Sequence, residues 1–267
     1  MSVAVLCNLS DGVIIGVDSA LSVWGGNGVQ KVFEDGEKLF QLDKRIGIAA
    51  FGLAGLAGRS IGSFLYEFEQ THDDLGAQTI EQIVESLRAF FLAEYIKYAE
   101  LVYEKPFDQI DTSLTSLGIL VAGYSPKSFL SEAWEIRVPD NKEPGSARQV
   151  YKPGDYGLAW FAMSEPIERY LYGISIAGLT EIADYVAQLL ARPLTQGETD
   201  KLLEIRRNQG YTVMTDSMPI KTGVDYVRFL VDYVITHYRF TQSHSIVGGK
   251  SKIGVITYRK EDFHIME

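Results

Sequence analysis

An Asp-Gly turn between two apolar runs constrains the fold of this chain more than any other sequence feature. Residues 2–18 consist mostly of aliphatic and β-branched side chains in two runs, separated at Asp11-Gly12. Asp-Gly between such runs is the strongest short-range signal for a β-hairpin. The hairpin places Ser2, at the start of its first strand, beside Asp18, at the end of its second strand.

Two further strands are predicted next in the chain. Residues 38–42 have strand composition, a turn follows, and residues 46–51 form a strand that leads to Gly52. Lys38 then lies at a strand entrance and Gly52 at a strand exit, and we expect both to border the sheet end where the hairpin begins and finishes. The sequence therefore predicts that a hydroxyl, a carboxylate, an ammonium and a glycine backbone converge.

The rest of the chain is predicted to contain blocks of helices and blocks of strands. Thr79 and Gln82 are spaced as a helix capping box, and apolar residues follow at helical spacing to residue 103. The segment 139–156 and the segment around residues 25–28 are interpreted as loops. This order predicts an α+β chain with antiparallel sheets. The other predicted elements are helices at 60–70, 166–172, 180–191, 198–207 and 223–238, and strands at 117–124, 129–138, 157–163 and 253–259.

The composition restricts the partners and the compartment. A formal net charge of −10 argues against nucleic acid or an anionic membrane, because both favour a basic face. The single cysteine, Cys7, excludes an intrachain disulfide, indicates a reducing compartment and is expected to be buried in its strand. No secretory signal pattern opens the chain, and no run is apolar and long enough to span a bilayer. The four histidines have no metal-ligand spacing. We expect a cytoplasmic protein without metal or cofactor.

Ser2 is the candidate nucleophile. Removal of Met1, which is usual before a small residue, leaves Ser2 with a hydroxyl and a free α-amine. An α-amine has an ordinary pKa of about 7.7–8.0, so one residue holds a nucleophile and a general base. In this hypothesis Lys38 lowers the pKa of the hydroxyl, Asp18 orients Lys38, and the N–H of Gly52 stabilises an oxyanion. Each residue alone also fits an ordinary structural role, such as a turn cap, a solvated lysine or a glycine at positive φ.

Taken together, these residues resemble the start of a proteasome β-type subunit, which is an N-terminal nucleophile (Ntn) hydrolase. The 16-residue separation of Ser2 and Asp18 matches the spacing of that family. The start Met1-Ser2 looks most like the bacterial proteasome homologues of the Anbu type. The resemblance is specific only in the first fifth of the chain, and beyond it follows the family's order of elements. The matching segments are Ser2, Ser10-Asp11-Gly12, Val17-Asp18-Ser19, Lys38-Leu39-Phe40-Gln41-Leu42 and Ala49-Ala50-Phe51-Gly52.

The resemblance implies one Ntn-hydrolase domain over residues 1–267, built as a four-layer αββα sandwich of two antiparallel sheets. It implies a peptidase or amidase that acts on peptide or protein substrates and self-assembles into a homo-oligomeric ring or spiral, with any unfoldase unspecified. The sequence departs from the family in several places: Lys38 comes four residues late, Ala20 replaces the common arginine after Asp-Ser, and the aspartate expected before Gly248-Gly249 is missing. The hydroxyls that the resemblance offers as support for the α-amine are those of Ser19, Ser164, Ser243 and Ser245.

Two alternative functions remain open at this stage. If Met1 is retained, the α-amine is blocked and the chain is a catalytically inactive, scaffold-like subunit of the same fold. The second alternative is an esterase, because residues 58–62 match G-x-S-x-G around Ser60, and His244 is a possible partner. Aromatic residues along the helix at 79–103 indicate core packing first, and an oligomer contact second.

Overall fold

The protein consists of two five-stranded antiparallel sheets with helices packed against them. Its structure, a computed structural model, describes residues 2–25, 28–72, 74–110, 115–140, 144–241, 247–258 and 263–266. The strands are β1 (Val3–Leu9), β2 (Gly12–Asp18), β3 (Leu21–Gly25), β4 (Gly28–Phe33), β5 (Leu39–Asp43), β6 (Ile46–Gly52), β7 (Gly55–Leu56), β8 (Arg59–Ser60), β9 (Leu117–Tyr124), β10 (Ser131–Val138), β11 (Ser146–Tyr151), β12 (Gly157–Ala162), β13 (Ser251–Ile256) and β14 (Phe263–Met266). The helices are α1 (Ile61–Thr71), α2 (Ile80–Tyr103), α3 (Glu165–Tyr172), α4 (Ile176–Leu189), α5 (Gln196–Gln209) and α6 (Ile220–Arg239).

Strand order places the two predicted strand pairs in different sheets. Sheet 1 has the order β12-β1-β2-β13-β14, and sheet 2 has the order β11-β10-β9-β6-β5. The β1–β2 hairpin therefore lies inside sheet 1, with Ala4 opposite Val17 and Leu9 opposite Gly12. The hairpin and the α+β class with antiparallel sheets are confirmed.

Side-chain alternation along β1 explains how this strand is buried on both faces. Val3, Val5 and Cys7 point into a core shared with α3 and α6, whereas Ala4 and Leu6 point into a core shared with sheet 2. The period of two along a strand requires this division. The predicted burial of Cys7 is confirmed.

Helices α1 and α2 cover the outer face of sheet 2. The predicted capping box begins α2, because Thr79 accepts from the Gln82 N–H and the Gln82 side chain accepts from the Thr79 N–H. The α2 residues buried against sheet 2 are Ile80, Ile83, Val84, Leu87, Phe91, Tyr95 and Ala99. Core packing is therefore the main role of this aromatic-rich helix.

Helices α4 and α5 differ from the others because neither contains a buried residue. Apolar side chains of α4 remain exposed, with Ile182 at 46%, Tyr185 at 62% and Leu189 at 68% relative exposure. Both helices nevertheless have side-chain N-caps, at Ser175 and Thr195. None of the helices in the described ranges is long and apolar enough to cross a membrane.

Two segments interpreted as loops contain strands. The segment 139–156 includes β11, an edge strand that pairs with β10 and places Arg148 opposite Glu135. At the second segment, Gly25 ends β3 and Gly28 begins β4, and these two residues pair with each other. In the first case the stabilising partners lie on a neighbouring strand, so local composition does not reveal them. The described residues also include β14, which sequence patterning did not predict.

A matched pair of substitutions tests the core between α2 and sheet 2. Phe91 is fully buried, and we expect Phe91→Ala to lower the free energy of unfolding by about 3–5 kcal/mol. Phe129 is 76% exposed, and the same truncation there is expected to change stability by less than about 0.5 kcal/mol. Urea unfolding measures both variants, and equal losses would contradict the assigned burial.

Candidate functional site

The carboxylate of Asp18 lies at the centre of the candidate site and has no solvent exposure. Its Oδ1 accepts hydrogen bonds from the Val3 N–H at 3.0 Å and from the Lys38 ammonium at 2.8 Å. Its Oδ2 accepts from the N–H groups of Ala20 at 3.3 Å and Gly248 at 3.2 Å. Asp18 thus joins the residue after Ser2 to the entrance of β5 and to the segment before β13.

Lys38 is buried, with only 4% of its surface exposed, and forms an ion pair with Asp18. Burial lowers the pKa of Lys38 from its ordinary value of 10.5, and attraction to Asp18 offsets part of this effect. Its backbone carbonyl accepts from the Ala50 N–H at 2.8 Å, which fixes the β5 entrance against β6. Lys38 is therefore not a solvated surface lysine.

Ser2 is 4% exposed and lies between two neighbouring strands at this sheet end. Its carbonyl accepts from the Met163 N–H at 2.9 Å, and the following N–H donates to Asp18. Two hydrogen bonds meet at Asp18 Oδ1, so the Lys38 Nζ lies within about 6 Å of the Val3 nitrogen. The structure therefore brings Ser2, Asp18 and Lys38 together.

Gly52 ends β6 on the same side of sheet 2, two residues beyond the Ala50 that bonds Lys38. Its φ of +86° is a conformation that side chains other than glycine rarely adopt. A Cβ at this position would also overlap the carbonyl oxygen of Ser116. A glycine is therefore required here for backbone reasons, whatever its chemical role.

The predicted supporting serines have different surroundings. The Ser19 hydroxyl donates to the Glu34 carbonyl and accepts from the Lys250 N–H at 2.8 Å, so it connects the start of β13 to the segment before β5. Ser164 is buried and follows Met163, whose N–H bonds Ser2. Ser164 is therefore one residue away from a backbone hydrogen bond to Ser2. Ser243 and Ser245 lie outside the described residues, as does Met1.

Sequence reasoning did not assign a role at this site to Ala162 or to the Gly248-Gly249 backbone. Ala162 pairs with Val3 and has a φ of +62°, which is unusual for alanine. Gly248 donates to Asp18, and Gly249 has a φ of +71° at a point where a Cβ would overlap the Ser19 hydroxyl. A Gly-Gly pair before a strand is the one sequence signal that marks part of this arrangement.

Ser60 has a structural role at the start of α1. Its hydroxyl accepts from the Ser63 N–H at 3.2 Å as a helix N-cap, and the residue is exposed. Its proposed partner His244 lies outside the described residues. Ser60 makes no described contact with a histidine or a carboxylate.

Within the described part of the chain, His, Cys, Asp and Glu side chains form no group of three or more able to hold a metal ion. A scan of the sequence against protein-family models finds no match, and a search of curated proteins finds none either. The geometry around Asp18 is therefore the main basis for a proposal about function.

A double-mutant cycle tests the Asp18–Lys38 pair. Asp18→Asn leaves a buried ammonium without its counter-charge, and we expect a loss of about 3–5 kcal/mol in unfolding free energy. In a Lys38→Met background the same change is expected to cost less, with a coupling energy of about 1–3 kcal/mol.

The same cycle on the exposed pair Lys201–Glu204 provides the control, and it is expected to show no measurable coupling. Additive losses at Asp18 and Lys38 would mean that the two charges do not stabilise each other. Urea titrations at one pH and one salt concentration give all the free energies required.

Proposed function

We propose that the protein is an N-terminal serine hydrolase of the Ntn type that cleaves peptide or amide bonds. The observation that carries the proposal is the Asp18 carboxylate, which holds both the buried Lys38 ammonium and the N–H that follows Ser2. The candidate nucleophile Ser2, the buried ammonium of Lys38 and the backbone of Gly52 thus lie at one end of the two packed sheets.

We infer a four-layer αββα sandwich as the architecture. Three hydrophobic cores support this inference: one between sheet 2 and helices α1 and α2, one between the two sheets, and one between sheet 1 and helices α3 and α6. This layering matches the fold that the resemblance to proteasome β-type subunits implies.

In the proposed reaction the Ser2 Oγ attacks the carbonyl carbon of the scissile bond, and its proton passes to the α-amine of the same residue. The N–H of Gly52 stabilises the oxyanion of the tetrahedral intermediate. Collapse of the intermediate breaks the C–N bond, and the α-amine gives the proton to the leaving nitrogen. Water then attacks the resulting ester, the α-amine takes a proton from the water, and that proton returns to Oγ as the acid product leaves.

Lys38 is assigned an electrostatic role in this mechanism. The Lys38 ammonium lies within about 6 Å of the Val3 nitrogen, and a positive charge near Ser2 favours the ionised hydroxyl and thereby lowers its pKa. Asp18 keeps the ammonium in place, because its Oδ1 fixes both Lys38 and the first N–H of β1. Ser164 is assigned the support of the α-amine, because it is buried and follows Met163, whose N–H bonds the Ser2 carbonyl.

We also propose that the chain self-associates. The exposed apolar residues of α4, together with the absence of buried residues in α4 and α5, support a contact with another copy. A ring or spiral in the cytoplasm agrees with the resemblance described above.

Substitution of Ser2 tests the proposal. We expect Ser2→Ala to abolish hydrolysis of peptide substrates and labelling by an epoxyketone probe, because the probe forms its ring adduct only with a hydroxyl and a free amine on one residue. The matched variant Ser60→Ala is expected to retain full activity. Peptide mapping by mass spectrometry locates the label.

Intact mass and N-terminal sequencing of the same samples show whether the mature chain begins at Ser2. A chain that begins elsewhere and resists the probe would favour the scaffold-like alternative. Activity lost with Ser60→Ala and kept with Ser2→Ala would favour the esterase.

The pH dependence of kcat/KM tests the role of Lys38. Activity is expected to rise with pH as the α-amine, whose ordinary pKa is about 7.7–8.0, loses its proton, and to fall as Lys38 deprotonates. Because burial lowers the pKa of Lys38 from 10.5, the alkaline fall begins below that pH. Lys38→Arg keeps the positive charge, so it is expected to retain the acid limb and lose the alkaline limb.

Lys38→Met removes the charge and is expected to reduce kcat/KM by about 100-fold or more. Circular dichroism and thermal unfolding identify variants that fail to fold. A folded Lys38→Arg protein that is inactive at every pH would mean that Lys38 transfers a proton, and the electrostatic assignment would then be wrong.

A further inference from the structure

A cavity of about 250 Å³ opens beside the end of β10, outside the group around Asp18. It is lined by Glu135, Arg137, Asp140, Ser146 and Arg148. This volume lies below the roughly 300–1,000 Å³ of sites for drug-sized ligands, so it suits one side chain or one small group.

Glu135 holds two arginines in fixed positions at this cavity. Its carboxylate is 1% exposed and accepts from the Arg137 Nε at 2.7 Å and from the Arg148 Nε at 2.5 Å. Strand pairing produces this arrangement, because Arg148 lies directly opposite Glu135 on β11 and Arg137 follows two residues later on the same face of β10.

The outer ends of both guanidinium groups remain available. The side chains of Arg137 and Arg148 are 42% and 66% exposed, and the hydrogen bonds that each donates to Glu135 come from its Nε atom. Each guanidinium carries five N–H donors in a planar fork that matches a carboxylate. Glu135 therefore fixes each arginine by one nitrogen and leaves terminal donors for a second anion.

A row of contacts connects the cavity to the candidate site. Phe51, which precedes Gly52, extends its ring over Gly118, where a Cβ would overlap it. The Arg137 guanidinium lies 6.0 Å from the centre of that ring. The Phe51 ring also lies 5.9 Å from the ring of Phe161, a residue that pairs with Ala4 of β1.

Strand register gives the separation between the cavity and the end of β6. Arg137 lies opposite Gly118 of β9, and Gly118 lies opposite Phe51 of β6, so at about 4.8 Å per strand the Arg137 backbone lies about 10 Å across the sheet from Phe51. A peptide whose scissile carbonyl binds at Gly52, the residue after Phe51, can therefore place a group three or four residues away in the cavity.

We propose that Arg137 and Arg148, positioned by Glu135, form a subsite for a carboxylate of the peptide substrate. The proposal rests on the proposed function for the identity of its ligand. Asp140 also lines the cavity, and Ser146 donates to it at 2.5 Å. The negative charge of Asp140 repels an anionic ligand and so limits its affinity. Removal of this charge is therefore expected to strengthen binding, whereas removal of an arginine is expected to weaken it.

Binding of matched peptides tests the subsite without requiring turnover. Fluorescent peptides with blocked ends, differing only by Glu or Gln at one position from four residues before to four after the scissile bond, are titrated into the Ser2→Ala protein. At one position we expect Glu to bind about 10-fold more tightly than Gln, because only the carboxylate pairs with both arginines. Free-acid versions of the Gln peptides show whether a C-terminal carboxylate takes the same place.

Four variants separate the subsite from general charge effects. Arg148→Gln, which leaves Glu135 paired with Arg137, is expected to remove most of the Glu preference, and Arg148→Lys to retain part of it. Asp140→Asn is expected to increase the preference. Lys201→Gln, which removes one positive charge from the exposed face of α5, is expected to leave it unchanged.

The outcomes distinguish this inference from the proposed function. Hydrolysis that depends on Ser2 with no Glu preference at any position, or a preference that persists in Arg148→Gln, would overturn the subsite alone. Glu-selective binding by a protein that hydrolyses nothing would keep the subsite and overturn the hydrolase. A higher kcat/KM for the Glu peptides in the unaltered protein, lost in Arg148→Gln, supports both.

Discussion

The buried carboxylate of Asp18 is the constraint on which one end of both sheets depends. Moving an ion of this size out of water costs several kcal/mol unless hydrogen bonds and an opposite charge replace the lost hydration. Asp18 obtains that replacement from Val3, Lys38, Ala20 and Gly248. These donors are far apart in the sequence, so the start of β1, the entrance of β5 and the segment before β13 must meet for any of them to be stable.

Three residues at this end of the two sheets have a left-handed backbone conformation. Gly52, Ala162 and Gly249 all have φ between +62° and +86°, and they lie at the end of β6, the end of β12 and the turn before β13. Alanine in this conformation costs on the order of 1–2 kcal/mol. The surrounding hydrogen bonds maintain it, because Met163, directly after Ala162, donates to the carbonyl of Ser2. Strain of this kind is typical of functional sites and is placed here against the candidate nucleophile.

Local chemistry explains which parts of this fold could be predicted from the sequence. The Asp11-Gly12 turn and the Thr79–Gln82 capping box specify their elements within a few residues, and both occur as predicted. Strand β11 could not be predicted, because it is stabilised by Glu135 across the sheet and its own composition resembles a loop. The meeting of Asp18 with Lys38 was predicted from strand ends expected to border one sheet end and from the family resemblance, but it joins two different sheets, which local composition does not show. The bridging role of Ser19 between Glu34 and Lys250 has no sequence signal at all.

The two buried carboxylates, Glu135 and Asp18, affect their cationic partners in different ways. Glu135 is balanced by two guanidinium groups that stay charged, and their exposed ends remain solvated. Asp18 is shared between Lys38 and three backbone N–H groups, so its attraction does not cancel the burial that lowers the pKa of Lys38. An ammonium has three donors, and the described residues supply a partner for one of them. In the proposed reaction, negative charge that develops on the Ser2 oxygen would strengthen its attraction to the Lys38 ammonium. An interaction that strengthens during attack stabilises the transition state more than the ground state, and this difference is what accelerates a reaction.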